Sequence, residues 1–103
     1  MKKYEAIIIL DGRNLEDEGT AFSGEFKKLL EGLGGTLEDT IVMGKKQLAR
    51  EIAKRKAGFY LDFVFSLDED KVKNLHDKYR RDERVLRLQV YQYKKYDTPV
   101  VEG

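Results

Sequence analysis

Gly44-Lys-Lys-Gln-Leu-Ala-Arg-Glu-Ile-Ala-Lys-Arg-Lys-Ala-Gly-Phe-Tyr-Leu-Asp-Phe-Val-Phe-Ser-Leu67 joins a basic segment to a strongly alternating apolar one. From Lys45 to Lys56 six Lys or Arg stand against one acid, Glu51, a charge density that attracts a phosphate backbone. From Phe59 the charge nearly vanishes. Leu61, Phe63, Phe65 and Leu67 then fall on one side of a period-two strand, with Tyr60, Asp62, Val64 and Ser66 on the other. A basic arm therefore leads into a core strand.

Working outward, Tyr4 to Leu10 also alternates: Tyr4, Ala6, Ile8 and Leu10 share one face, Glu5, Ile7 and Ile9 the other. A strand apolar on both faces belongs in the middle of a sheet. Asp11-Gly12-Arg13 reads as a turn, and Asn14 as the N-cap of a helix with Asp17 and Glu18 in its first turn. Phe22, Phe26, Leu29, Leu30 and Leu33 form the helix's apolar stripe, and Gly34-Gly35 stops it. Gly19 and Gly24 weaken its early turns. Thr36 to Met43 reads as a strand.

The basic arm itself is ambiguous. Its residues are good helix formers, yet Ala57-Gly58 is a turn signal that would let a hairpin pair the arm with Phe59–Leu67. A second helix follows, with Asp68 as N-cap between a Leu67/Val72 staple, a stripe of Val72, Leu75 and Tyr79, and His76 beside the stripe, partly exposed. Val85 to Tyr93 is a last strand, with Leu86, Leu88 and Val90 inward and Arg87, Gln89 and Tyr91 outward.

The order strand, helix, strand, strand, helix, strand is the α+β, ferredoxin-like β-α-β-β-α-β pattern: a four-stranded antiparallel sheet with two helices on one face. Right-handed crossovers put the first and third strands in the centre and leave the other face open. On that face Ile7, Ile9, Tyr60, Asp62, Val64, Gln89 and Tyr91 form an expected partner-binding patch rimmed by Arg87. Glu5 and Asp62 repel phosphate, so part of the patch suits a basic protein.

Composition narrows the alternatives. The 103 residues fit one domain over 1–95 with a short flexible tail over 96–103, which holds the only proline. With 41% hydrophobic and 38% charged residues the chain is globular. No apolar run reaches bilayer length, and the opening lacks a signal-peptide cleavage site, so no membrane role is expected and the chain should stay in the cytoplasm. Zero cysteines and one histidine give no metal site or cofactor to expect. The net charge of +1 conceals segregation: residues 11–39 are net −5, whereas 45–56 and 78–95 are each net +5. Catalysis of the acylphosphatase kind would need a Gly-rich phosphate cradle before Arg13, and Asp11-Gly12 does not supply one.

Gly44-Lys45-Lys46-Gln47-Leu48-Ala49, Ile52, Gly58-Phe59-Tyr60 and Asp82-Glu83-Arg84-Val85-Leu86-Arg87, with the opening Lys3-Tyr4-Glu5, resemble the bacterial small-subunit ribosomal protein S-six family over roughly residues 2 to 94. The resemblance implies a non-catalytic protein, monomeric when free. It would bind the central domain of small-subunit ribosomal RNA, in the platform, together with ribosomal protein S-eighteen. It also implies a long second strand through the basic arm, which resolves the arm as strand. Tyr60 and Arg87 fall on the face where the family meets its partners, with Lys2 and Lys3 nearby. The expected RNA-facing residues are Lys2, Lys3, Lys45, Lys46, Arg50, Arg84, Arg87 and Lys94. Arg50-Glu51 departs from the family's usual aromatic-proline pair, and long charged tails are absent. The alternative is a homodimeric, small-molecule-binding regulatory domain of the same fold.

Overall fold

A computed structural model describes residues 1–12, 19–52, 55–93 and 101–102. Its elements are β1 (Lys2–Asp11), α1 (Thr20–Gly32), β2 (Thr36–Ile52), β3 (Arg55–Leu67), a 3-10 turn (Glu69–Lys71), α2 (Val72–Arg80), β4 (Val85–Gln92) and β5 (Val101–Glu102). The sheet runs β2-β3-β1-β4-β5 with every neighbour antiparallel. The ferredoxin-like order and the central places of β1 and β3 match the expectation. Within the stretch read as a tail, Val101 and Glu102 pair with Val90 and Gln89, adding a short edge strand. Such pairing satisfies β4 backbone groups that would otherwise face water.

The core lies between sheet and helices. Tyr4, Ala6, Ile8 and Leu10 of β1 and Leu61, Phe63, Phe65 and Leu67 of β3 are all buried there, against Phe22, Phe26 and Leu30 of α1 and Val72, Leu75 and Tyr79 of α2. Phe26 is its centre, stacked on Phe63 with ring centroids 4.2 Å apart and edge-on to Phe65 at 5.7 Å. Leu29 and Leu33 pack at the margin of the α1 stripe.

Several local expectations need correction. The proposed α1 cap, Asn14 with Asp17 and Glu18, lies outside the described residues; the helix starts at Thr20 behind Gly19, whose φ of 82° favours glycine. Asp68 makes no side-chain cap hydrogen bond, because a 3-10 turn intervenes before α2. Its carboxylate lies 3.9 Å from the N-terminal ammonium instead. His76 is buried in the α2 stripe, with Nε2 lacking a hydrogen-bond partner among the described residues. Val85 packs against the core in place of Leu86, since the β1–β4 register shifts between Ile9 and Leu10 and pairs Leu10 with Val85.

Ala57-Gly58 is not a turn. Both residues lie within β3, and β2 runs unbroken through the basic arm, with Lys45 opposite Phe59, Lys46 opposite Gly58 and Gln47 opposite Ala57. Gly58 serves packing: a Cβ there would run into Ile9 Cγ2 and sit 3.3 Å from the Leu10 carbonyl oxygen. Long-range pairing thus outweighs the arm's helical propensity.

Candidate protein and nucleic-acid interface

Residues directly opposite in a sheet share a face, so the registers assemble the open face row by row. One row holds Ile41, Asp62, Ile7 and Gln89; the next holds Gly44, Tyr60, Ile9 and Arg87. On the other side lie Asp39, Val64, Glu5 and Tyr91, then Thr36, Ser66 and Lys3. All seven residues expected to form the partner patch are therefore brought together, with Arg87 exposed beside them. Tyr91 Oη donates to Gln89 Oε1 at 3.2 Å.

The centre of this face is acidic. Glu5 and Asp62 are only 9% and 8% exposed although no helix covers them. Their side chains stand within hydrogen-bonding reach, and a bond between two carboxyl groups requires a proton. Burial pushes the Asp62 carboxyl up to about 7, aided by the Glu5 hydrogen bond and charge and by the charge of Asp39. Asp62 Oδ1 is buried without a hydrogen-bond partner among the described residues. Ile9 and Val64 are buried alongside, so the acids sit in an apolar frame.

The expected RNA-facing cations divide between the two sides of the sheet. Lys3, Lys46 and Arg87 belong to open-face rows. Lys3 Nζ lies 3.4 Å from Glu38 Oε1 and 4.5 Å from the Tyr93 ring centroid, and Lys46 Nζ stands 5.8 Å from that of Tyr60. Lys45 takes the opposite face, opposite the core residue Phe59, and Arg50 is exposed on the arm. Lys2 is bound by Glu69 at 2.6 Å, which raises its pKa through that hydrogen bond. Arg84 is engaged on the helical side. It donates to Asp82 Oδ2 at 2.7 Å and Glu25 Oε2 at 2.6 Å and lies over the Phe22 ring. Its hydrogen bonds hold the Asp82 carboxyl below its ordinary value. Lys94 lies outside the described residues.

Sequence reasoning missed Glu38 and Asp39 as members of this surface. Glu38 is bulged out of the β2–β3 register, accepts a hydrogen bond from Ser66 Oγ and is held low in pKa by it. The signal was present as two adjacent acids inside a β-rich segment. The bulge that aims Glu38 at Ser66 and Lys3 has no such signature.

With fold and surface in place, comparison with known proteins is decisive. A family model described as "Ribosomal protein S6" matches residues 3–92. This chain belongs to the ribosomal protein S6 family. "Small ribosomal subunit protein bS6" of Clostridium botulinum (strain 657 / Type Ba4) is 35% identical over 88 residues, 84% of this chain and 93% of that protein. The Helicobacter hepaticus protein of the same name is 36% identical over 93 residues, 90% of this chain and 68% of its own length. The crystal structure of 30S ribosomal protein S6 from Thermotoga maritima superposes with a TM-score of 0.81 at 26% identity, covering 88% of this chain and 86% of that one. As an S6-family protein the chain is a structural constituent of the small ribosomal subunit, not an enzyme, and its place is the cytoplasmic ribosome. Among the described residues no helix is long and apolar enough to cross a membrane.

Proposed function

We propose that this protein binds the central domain of small-subunit ribosomal RNA jointly with ribosomal protein S-eighteen, using different parts of one sheet face for the two. The division of charge across that face carries the reading. At its centre Glu5, Asp62 and Asp39 present carboxyl groups among Ile7, Ile9, Ile41 and Val64, a surface that disfavours phosphate and suits a basic protein. Toward the hairpin arm, Tyr60 and Arg87 share a row, Lys46 stands over the tyrosine, and exposed Arg50 and Lys56 extend the positive charge. An ammonium there neutralises phosphate; a tyrosine ring and a planar guanidinium offer stacking for an unpaired base.

Lys2 and Arg84 contribute less than their charges promise, because each is held by an acid of its own chain. Contacts of the arm position the RNA without selecting its sequence, so specificity comes from RNA shape and from the joint surface with S-eighteen. The test is binding to a platform RNA fragment, with and without purified S-eighteen, across a salt titration. Salt-sensitive binding that tightens strongly on adding S-eighteen is expected. No RNA binding in either condition, with a stable self-dimer, would favour the homodimeric small-molecule-binding alternative.

A further inference from the structure

The acidic centre of the open face has a feature that a general preference for a basic surface does not explain. Asp62 is surrounded on every side within the sheet. Across β1 stand Ile7 and, diagonally, Glu5 and Ile9; across β2 stand Ile41 and, diagonally, Asp39; along β3 stand Tyr60 and Val64. The cations that these strands bring to the face stand away from Asp62: Lys3 beside Glu38 and the Tyr93 ring, Lys46 over the Tyr60 ring. Arg87, on β4, sits opposite Ile9 rather than beside Asp62.

Within this frame Asp62 is 8% exposed, the neighbouring side chain that acts on it most is another carboxyl, Glu5, and Oδ1 has no hydrogen-bond partner among the described residues. A buried carboxyl oxygen without a donor is costly, and such groups in native structures mark a missing partner. The missing partner must donate hydrogen bonds and tolerate two or three carboxyl groups, which selects a cation.

We propose that the Glu5–Asp62 pair is the seat of a guanidinium or ammonium side chain carried by the protein partner of this face, and that seating it expels the proton the two carboxyls share. The inference rests on the reading that a protein partner docks on the open face. The step balances simply: the hydrogen-bonded acid and carboxylate become two carboxylates bridged by the cation's N–H groups, and one proton goes to water. A guanidinium fits best, since its planar fork of donors can satisfy Oδ1 and an oxygen of Glu5 together. The apolar frame of Ile7, Ile9, Ile41 and Val64 strengthens the pairing by limiting water.

The proton makes docking depend on pH. The pair holds its proton up to about pH 7, the value to which burial, Glu5 and Asp39 push the Asp62 carboxyl. Below that pH a cation must displace the proton, so affinity climbs by up to about tenfold per pH unit and levels off above it.

The experiment is calorimetry of the full chain with purified S-eighteen at pH 5.5 and 7.5, in two buffers of different ionisation enthalpy, for the wild type, Asp62→Asn and Glu5→Gln. The wild type should bind about tenfold or more tightly at the higher pH. Its proton release should approach one per complex at pH 5.5 and fall well below one at pH 7.5. Asp62→Asn, which keeps the shape and a hydrogen bond to Glu5 but cannot ionise, should bind with the wild type's weaker affinity at both pH values and release no proton. Glu5→Gln should lose the same pH dependence. Tight, pH-independent binding by the wild type, with Asp62→Asn indistinguishable from it, would overturn the proposal while leaving the open-face partner in place. Absence of S-eighteen binding at every pH would remove the partner reading itself, and this inference with it.

Discussion

Asp62→Asn should stabilise the free protein at neutral pH and leave it unchanged in acid. The Asp62 carboxyl sits at about 7 in the folded protein and at 3.8 ordinarily, so between those values the native state retains a proton that the unfolded chain has lost. Stability from this site is therefore intact below the unfolded value and declines as pH rises through the window to about 7. A displacement of that size corresponds to at most about 4 kcal/mol. The pair lies on an uncovered sheet face, and water screening reduces this to about 1–2 kcal/mol. Asparagine removes the titration and keeps the polar contact with Glu5. Urea denaturation of both proteins from about pH 4 to about pH 8, followed by circular dichroism, should show curves that nearly coincide at about pH 4, separate progressively in favour of asparagine as pH rises, and run parallel above about pH 7. Glu38, Glu69 and Asp82, whose carboxyls are lowered by Ser66, Lys2 and Arg84, titrate in the opposite sense but cancel in the difference. A difference that is flat with pH, or that favours aspartate at neutral pH, would refute the assignment of a buried shared proton.

Gly24→Ala should raise stability by about 0.5–1 kcal/mol in thermal melts, because Gly24 is inside α1 and an added Cβ meets nothing within 4 Å. Gly58→Ala should lower it by about 1–3 kcal/mol in the same assay, since its Cβ would be forced against Ile9 Cγ2 and the Leu10 carbonyl. For RNA, Lys46→Ala should reduce the slope of log affinity against log salt by about 1, and Lys45→Ala should change it less, because the two lysines take opposite faces of the sheet. Equal loss from both would place the RNA around the arm rather than on the open face.

The architecture was legible because the strongest period-two stretch, Phe59–Leu67, and the two-sided apolar strand Tyr4–Leu10 both lie at the sheet centre, where burial writes itself into the residue pattern. Phase alone then put Ile7, Ile9, Tyr60, Asp62, Val64, Gln89 and Tyr91 on one face, as the registers show. What local pattern does not carry is any feature decided by a distant strand. The arm Lys45–Ile52 reads as helix or strand until β3 pairs with it, and Gly58 reads as a turn until Ile9 is found lying over it. Val85 replaces Leu86 in the core through a register shift that neither residue encodes alone.

The same distinction separates charge that is present from charge that is available. Lys2, Arg84 and Lys46 look equivalent in a sequence, yet Glu69 neutralises the first, and Asp82 with Glu25 neutralises the second. Lys46 faces an aromatic ring, which leaves its charge to a ligand. The acids follow the opposite course. Glu69, Asp82 and Glu25 are spent on the chain's own cations, whereas Asp62 is buried among apolar neighbours with an oxygen that no donor of the described residues reaches. On the proposed reading, the carboxyl left unmatched at the centre of the open face is the seat of a partner's cation, while Lys46 at its rim is the charge left for phosphate.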